Sequence, residues 1–172
     1  VPCDNYGGGR MAAERLLARG CRRIGHVTGL RETSTHLERA RGFLDALGQH
    51  GLAPACSARG EFSYDSARQA ALSLLQAPDR PEALFCENDI MALAALDVAR
   101  SLGLRIPQDL AVIGFDDIPL AEWGAYRLTT IRQPVRQMVA EALELIAQVR
   151  SGQGSEGTIR VLPVRLIERD SA

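Results

Sequence analysis

The sequence alternates between helix-like and strand-like segments along most of its length. A helical pattern follows a predicted glycine turn at residues 7–9, and the strand-like residues 23–27 come next. Further strand-like stretches near residues 55–59, 83–86 and 110–114 are separated by helical patterns. The last of these is apolar without alternation, as expected for a strand covered on both faces. This order predicts an α/β fold with a Rossmann-like, doubly wound parallel sheet.

Two polar residues are placed to begin helices. Thr35 is predicted to cap a helix in which Leu37, Leu44 and Leu47 fall at helical spacing. Asp89 is predicted to cap the helix that follows the strand at residues 83–86.

The last third of the chain departs from the alternation. A strand-like stretch at residues 128–131 leads into a strongly amphipathic helix at 135–149. A loop rich in glycine and serine, residues 151–157, separates that helix from a strand-like stretch at 159–167. Pro163 indicates that this final stretch lies at a sheet edge.

Charge and composition exclude several classes of function. With 20 basic and 21 acidic residues the formal net charge is −1, so this chain lacks the basic surface that binding to a phosphate backbone requires. Every basic residue is arginine, which excludes a phosphate-loop lysine, a Schiff-base lysine and a lysine general base. The absence of long apolar runs and of a signal peptide predicts a cytoplasmic protein with no membrane partner.

The sequence predicts no metal, cofactor or catalytic centre. The four cysteines are scattered, without metal-ligand spacing, and the three histidines lack a recognisable nucleophile partner. The pattern Gly7-x-Gly9-x-x-Ala12 matches a dinucleotide-binding fingerprint, but polar residues precede it where a buried strand is needed. We therefore expect no enzyme activity, with a Rossmann-class enzyme as one competing hypothesis.

Several polar side chains remain as candidates for ligand binding. Asp116 and Asp117 end an apolar strand, and either could bind a polyol or only stabilise a loop. The Asn88 amide can both donate and accept hydrogen bonds. The guanidinium of Arg39 suits carboxylates and paired hydroxyls, although an exposed helical arginine is the simpler interpretation.

Several motifs in register resemble the lactose-repressor/galactose-repressor family of bacterial regulators. The most specific are the segments 86–92, 106–117 and 128–134, and the segment 39–43 adds support in the same order. The resemblance covers essentially the whole chain. It implies a type I periplasmic-binding-protein fold, of which this sequence holds mainly the C-terminal subdomain.

The resemblance also implies a division of the chain. Residues 1–132 would form the C-terminal effector-binding subdomain. Residues 133–152 would form a crossover helix, which in the family packs on the N-terminal subdomain. Residues 153–172 would form a return strand and tail. The helix-turn-helix and most of the first subdomain would precede this sequence, so its residues would supply only one wall of the ligand site.

By the same resemblance, the function would be to sense an effector for a DNA-binding regulator. The effector-binding residues would be Arg39, Asp116, Asn88 and Phe62, with Thr35 and Gln133 as weaker candidates. Family ligands are sugars, sugar phosphates, purines or nucleosides, and this residue set favours a neutral sugar. Expected partners are a second copy of the chain and operator DNA, the latter only through the helix-turn-helix. The alternative is a sugar-binding protein of a transport system.

Overall fold

The computed structural model describes residues 1–152 and 157–172. A short 3-10 helix spans Pro119–Glu122. The elements, in chain order, are α1 (Asn5–Ala18), β1 (Ile24–Thr28), α2 (Ser34–Gln49), β2 (Cys56–Arg59), α3 (Tyr64–Gln76), β3 (Ala83–Cys86), α4 (Asp89–Ser101), β4 (Ala111–Asp116), β5 (Thr129–Arg132), α5 (Val135–Arg150) and β6 (Arg165–Ile167).

The strands form one sheet in the order β2-β1-β3-β4-β5-β6. The pairs from β2 to β5 are parallel, and only β6 is antiparallel to its neighbour β5. Parallel neighbours need crossover connections. Helices α2, α3 and α4 provide the first three, and the segment with the short 3-10 helix connects β4 to β5. The predicted Rossmann-like parallel sheet is confirmed.

Helices cover both faces of this sheet. Residues of α1 and α2 pack with Phe85 and Ile113 on one face. Residues of α3 and α4 pack with Leu84 and Val112 on the other. Because neighbouring strand residues point to opposite faces, an uninterrupted apolar strand can serve both layers.

The glycines at residues 7–9 lie within α1 and do not form the predicted turn. The carboxylate of Asp4 caps the helix by accepting a hydrogen bond of 2.8 Å from the Gly7 amide. A Cβ atom at Gly9 would collide with the carbonyl oxygen of Arg39, and one at Gly42 would collide with that of Tyr6. Glycine is present in α1 because α1 and α2 cross with their backbones in contact.

Two predicted helix caps are wrong by one or two residues. The hydroxyl of Thr33, not of Thr35, accepts a hydrogen bond from a first-turn amide of α2. Asn88, not Asp89, caps α4, and its Oδ1 accepts from the Met91 amide at 2.9 Å. The predicted caps therefore lie inside the first turns, where their side chains are available for other contacts.

The buried face of α2 agrees with the predicted one at Leu47 but not at the other two leucines. Leu37 is 55% exposed and Leu44 is 44% exposed. The buried residues include Gly42, Phe43 and Leu47. Gly42 faces α1, because any side chain at this position would prevent the two backbones from coming into contact.

The predicted final strand is shorter than expected. Only Arg165–Ile167 pairs with β5, and Leu162 forms an isolated bridge with Cys3. Pro163 interrupts the stretch between these two contacts, because it has no amide to donate. Of the predicted glycine- and serine-rich loop, residues 153–156 lie outside the described residues.

Helix α5 presents an apolar face to solvent. None of its residues is buried, and only Met138 packs partly against the core beneath α1 and α2. Its exposed apolar residues, each about half accessible, are Val135, Val139, Leu143, Ile146 and Val149. Covering the accessible half of such a side chain stabilises the protein by roughly 1 kcal/mol.

We therefore expect the 172-residue chain to self-associate through α5. The double change Val139→Glu and Ile146→Glu should shift it toward monomer in sedimentation velocity. Gln137→Glu, an exposed change on the same helix, serves as the control and should leave association unchanged. A parent chain that sediments as a monomer at every accessible concentration would contradict this expectation.

No helix among the described residues is long and apolar enough to cross a bilayer.

Candidate functional site

A polar cavity of about 380 Å³ lies at the carboxyl edge of the sheet. Its walls come from the start of α1 and the residues before it, the first turns of α2 and α5, the end of β4, and the loops after β2, β3 and β5. The carboxyl ends of parallel strands and the amino ends of the following helices meet at this edge, so polar groups converge there. The lining residues are Pro2, Cys3, Asn5, Ser34, Thr35, Arg39, Phe62, Asn88, Asp116, Gln133 and Met138.

All six predicted binding residues line this cavity, although they are spread between residues 35 and 133 of the sequence. Thr35 and Arg39 lie one turn apart on α2, so both face the same side. Of the other four, three follow strands and Asp116 is the last residue of β4. The structure thus brings the predicted set together, while their contact with an effector stays a prediction.

Arg39 forms the floor of the cavity and is only 3% exposed. Its Nε donates to Asn5 Oδ1 at 2.9 Å, and its Nη1 donates to the carbonyl oxygen of Glu87. Its Nη2 lies 3.3 Å from Asp116 Oδ1, and its guanidinium carbon lies 3.6 Å from the centroid of the Phe115 ring. These contacts fix a flexible side chain in one orientation before any ligand arrives.

Asp116 stands opposite Arg39 in a strained backbone conformation. Its φ is 117°, in a region that non-glycine residues rarely occupy. The Gln133 amide donates to its Oδ1 at 2.6 Å, so this one oxygen receives both Gln133 and Arg39. Such contacts compensate for backbone strain and hold the carboxylate at the cavity wall.

Burial dominates the electrostatics of this pair. It raises the pKa of the Asp116 carboxyl, and the neighbouring Arg39 charge opposes part of that effect. It also lowers the pKa of Arg39, against the attraction of Asp116. Each charge therefore depends on the other, and loss of one would leave its partner buried without compensation.

Two polar atoms in the cavity have unused hydrogen-bonding capacity. Within residues 1–152 and 157–172, neither Oδ2 of Asp116 nor Nδ2 of Asn88 has a hydrogen-bond partner. One is an acceptor and the other a donor. The cavity can therefore bind a group that donates and accepts at once, as a hydroxyl does.

Phe62 supplies an apolar wall. It has a left-handed backbone conformation with φ of 57°, and its ring packs directly on Gly29. An aromatic ring beside hydroxyl-binding groups suits the C–H face of a sugar. Thr35 lines the same cavity.

Sequence reasoning missed several residues of the site. Asn5 and Glu87 orient Arg39, and Cys3 lies 3.3 Å from the Gln133 amide oxygen. The helical glycines Gly9 and Gly42 were the available signal, since paired glycines in two helices indicate close packing that would bring Asn5 beside Arg39. Ser34 and Met138 carried no such signal.

Two histidines contact Glu87, which is fully buried behind the cavity. His36 Nδ1 lies 2.8 Å from one carboxylate oxygen of Glu87, and His26 Nε2 lies 2.8 Å from the other. The same carboxylate accepts from the Gly29 amide at 2.8 Å. The two histidines and Glu87 have a structural role, because their contacts join β1, α2 and the end of β3. Among the described residues, no group of three histidine, cysteine or acidic side chains is placed to hold a metal.

The remaining candidates lie away from the cavity. Asp117 pairs with Arg132 and Arg169, so it stabilises the loop after β4. Trp123 is 58% exposed, and the Tyr126 hydroxyl donates to a carboxylate of α4. The segment that matches the dinucleotide fingerprint is part of α1, where the Gly8 amide donates to a backbone carbonyl instead of facing a phosphate.

The fold and this cavity agree with a comparison against known families. Residues 13–172 match the periplasmic binding protein-like domain. The chain belongs to this family. The resemblance to the lactose-repressor/galactose-repressor regulators, whose effector-binding part has this fold, is likewise confirmed.

Similar members of the family are transcriptional regulators. The HTH-type transcriptional regulator CelR of Thermobifida fusca is 36% identical, over 99% of this chain and 51% of CelR. A CelR–cellobiose complex has a TM-score of 0.92 at 38% identity, covering 99% of this chain and 53% of that one. A lac repressor dimer bound to operator and the anti-inducer ONPF has a TM-score of 0.92 at 28% identity, covering 98% and 51%. This chain spans about half the length of the relatives it matches.

Proposed function

We propose that this chain is the effector-sensing part of a bacterial transcriptional regulator and that its effector is a neutral sugar. The observation that carries the proposal is the pair of free polar atoms in the cavity, Asp116 Oδ2 and Asn88 Nδ2, beside the buried guanidinium of Arg39. A phosphorylated ligand would need more positive charge than one arginine already paired with a carboxylate. The regulators among its relatives support sensing over transport.

The proposed partners follow from the same family. Operator DNA would be bound by a helix-turn-helix and not by this chain, whose net charge is −1. A second copy would complete a dimer, with α4 as a candidate surface. The protein would act in the cytoplasm, without catalysis. The three-part division at residues 1–132, 133–152 and 153–172 belongs to this proposal.

The mechanism requires differential affinity. Arg39, Asp116 and Asn88 form one wall, and a ligand that bridges them to an opposing wall favours a closed arrangement of the two. The equilibrium shifts only as far as the ligand binds one arrangement more tightly than the other. Because Arg39 and Asp116 are held in place beforehand, little binding energy is lost in ordering them.

Changing Arg39 should remove most of the affinity. In the full-length gene product we expect Arg39→Ala to weaken binding of a neutral sugar at least about 30-fold, because a charged hydrogen-bond donor is lost and Asp116 becomes an unpaired buried charge. Isothermal titration calorimetry with cellobiose and other neutral disaccharides measures this. Arg41→Ala is the control, since Arg41 is exposed and two residues away on α2.

The ligand panel also tests the class of effector. Glucose 6-phosphate, cytidine and hypoxanthine represent the other ligand chemistries of the family. If the protein bound one of these compounds and no neutral sugar, the proposal that the effector is a neutral sugar would be refuted. No binding of any small molecule, with DNA binding unaffected by the whole panel, would refute the sensing role.

A further inference from the structure

A second cavity, of about 440 Å³, lies beside the first at the same edge of the sheet. It is formed by the loop from β1 to α2, the end of β2 and the loop from β2 to α3. The second loop also supplies Phe62 to the first cavity, and Ser34 and Thr35, which line that cavity too, begin α2 directly after the first loop. The lining residues are Gly29, Leu30, Arg31, Glu32, Thr33, Arg59 and Glu61.

One aromatic ring separates the two cavities. Phe62 lines the first cavity, and Gly29, on which its ring packs, lines the second. Glu61 and Phe62 both have left-handed backbones, with φ of 54° and 57°. Two consecutive non-glycine residues in this conformation are costly, and such strain concentrates at functional sites. The strained pair aims Phe62 at one cavity and leaves Glu61 at the other.

The second cavity is lined by charged side chains without polar partners among the described residues. Arg31, Glu32, Arg59 and Glu61 are exposed. In the part of the chain that the structure describes, none of these four side chains has a hydrogen bond or an ion pair. Arg39 differs from these four, since it is buried and each of its three side-chain nitrogens donates a hydrogen bond within the protein.

The chemistry of this cavity favours a sugar unit over an anion. Two arginines and two glutamates give no net charge, so a phosphate or carboxylate would meet repulsion as well as attraction. Guanidinium groups donate to hydroxyl oxygens, and carboxylates accept from hydroxyl protons. Leu30, 47% exposed, offers the apolar surface that the C–H face of a sugar ring needs.

We infer that this cavity is a second sugar subsite and that the effector is a neutral disaccharide or longer saccharide. One unit binds between Arg39, Asp116 and Asn88, and the next crosses Phe62 to reach Arg59 and Glu61. This inference rests on the proposed function, because it assigns the first unit to the same sugar-binding cavity.

The test compares saccharides of increasing length. Calorimetry on the full-length gene product would use glucose, cellobiose and cellotriose, with galactose, lactose and maltose as a second set. We expect the best disaccharide to bind at least about tenfold more tightly than either of its constituent monosaccharides. Arg59→Ala and Glu61→Ala should each remove most of that advantage, and Arg23→Ala, at the opposite sheet edge, should preserve it.

Three results would overturn the inference. The first is equal affinity for a disaccharide and its best monosaccharide. The second is an unchanged disaccharide advantage in both cavity variants. The third is an equal loss of monosaccharide and disaccharide affinity in those variants, which would indicate a structural role. A complete absence of sugar binding would instead refute the proposed function as well, so the two failures are distinguishable.

Discussion

Gly42→Ala is expected to lower the free energy of unfolding by about 2–3 kcal/mol, because a methyl group there has no space. The added Cβ would collide with the carbonyl oxygen of Tyr6 in α1, which is backbone and cannot rotate away. Alanine raises helix propensity by about 1 kcal/mol over glycine, and the clash exceeds that gain. Chemical denaturation followed by circular dichroism measures the change.

Gly48→Ala provides a matched control on the same helix. A Cβ at Gly48 meets no atom within 4 Å, so only the gain in propensity remains and stability should rise by several tenths of a kcal/mol. Gly9→Ala, which approaches the same crossing from α1, should behave like Gly42→Ala. If Gly42→Ala and Gly48→Ala had the same effect, close backbone contact would not be the reason for glycine at residue 42.

The second large effect concerns Asp89, the buried carboxyl at the start of α4. Its two oxygens accept hydrogen bonds from the Thr130 hydroxyl and, at 2.8 Å, from the Ile118 amide. Burial raises its pKa from 3.8 to about 7, although these hydrogen bonds oppose the shift. The folded protein therefore keeps a proton that the unfolded chain releases.

Asp89 makes the folded protein less stable as pH rises. Between about pH 4 and pH 7 the unfolded chain binds fewer protons at this residue than the folded protein does, so its contribution to stability falls as pH rises. The full contribution is present below pH 4, and the loss is complete above about pH 7. A pKa difference of this size corresponds to about 4 kcal/mol.

Asp89→Asn should remove this dependence while retaining an acceptor for one of the two hydrogen bonds. Denaturation profiles at pH 4 to 8 should show a stability difference between variant and parent that moves in favour of asparagine as pH rises. Asp79→Asn, at an exposed turn, is the control and should leave the parent profile unchanged. Parallel profiles for Asp89→Asn and the parent would show that Asp89 does not carry the titration.

The residues of the candidate site were predictable to the extent that local sequence placed them at strand ends. Asn88 follows the apolar strand β3 and Asp116 ends the apolar strand β4, and parallel strands end at one edge. Gln133 was predicted only through the family resemblance. Asn5 was not predictable in this way, because it reaches Arg39 only through the crossing of α1 and α2. The sequence also could not predict that Asn88 caps α4 while the carboxylate of Asp89 is buried. Both are good capping residues, and packing decides which one turns inward.

By itself, the sequence determined the order of helices and strands, the parallel sheet and the edge at which ligand-binding groups collect. These properties depend on local periodicity and chain direction, which neighbouring residues encode. Only the tertiary structure decided which face of α2 is buried, how closely α1 approaches it, and how Phe62 divides two cavities. Those outcomes depend on backbone contacts between segments far apart in sequence, and no local pattern specifies them.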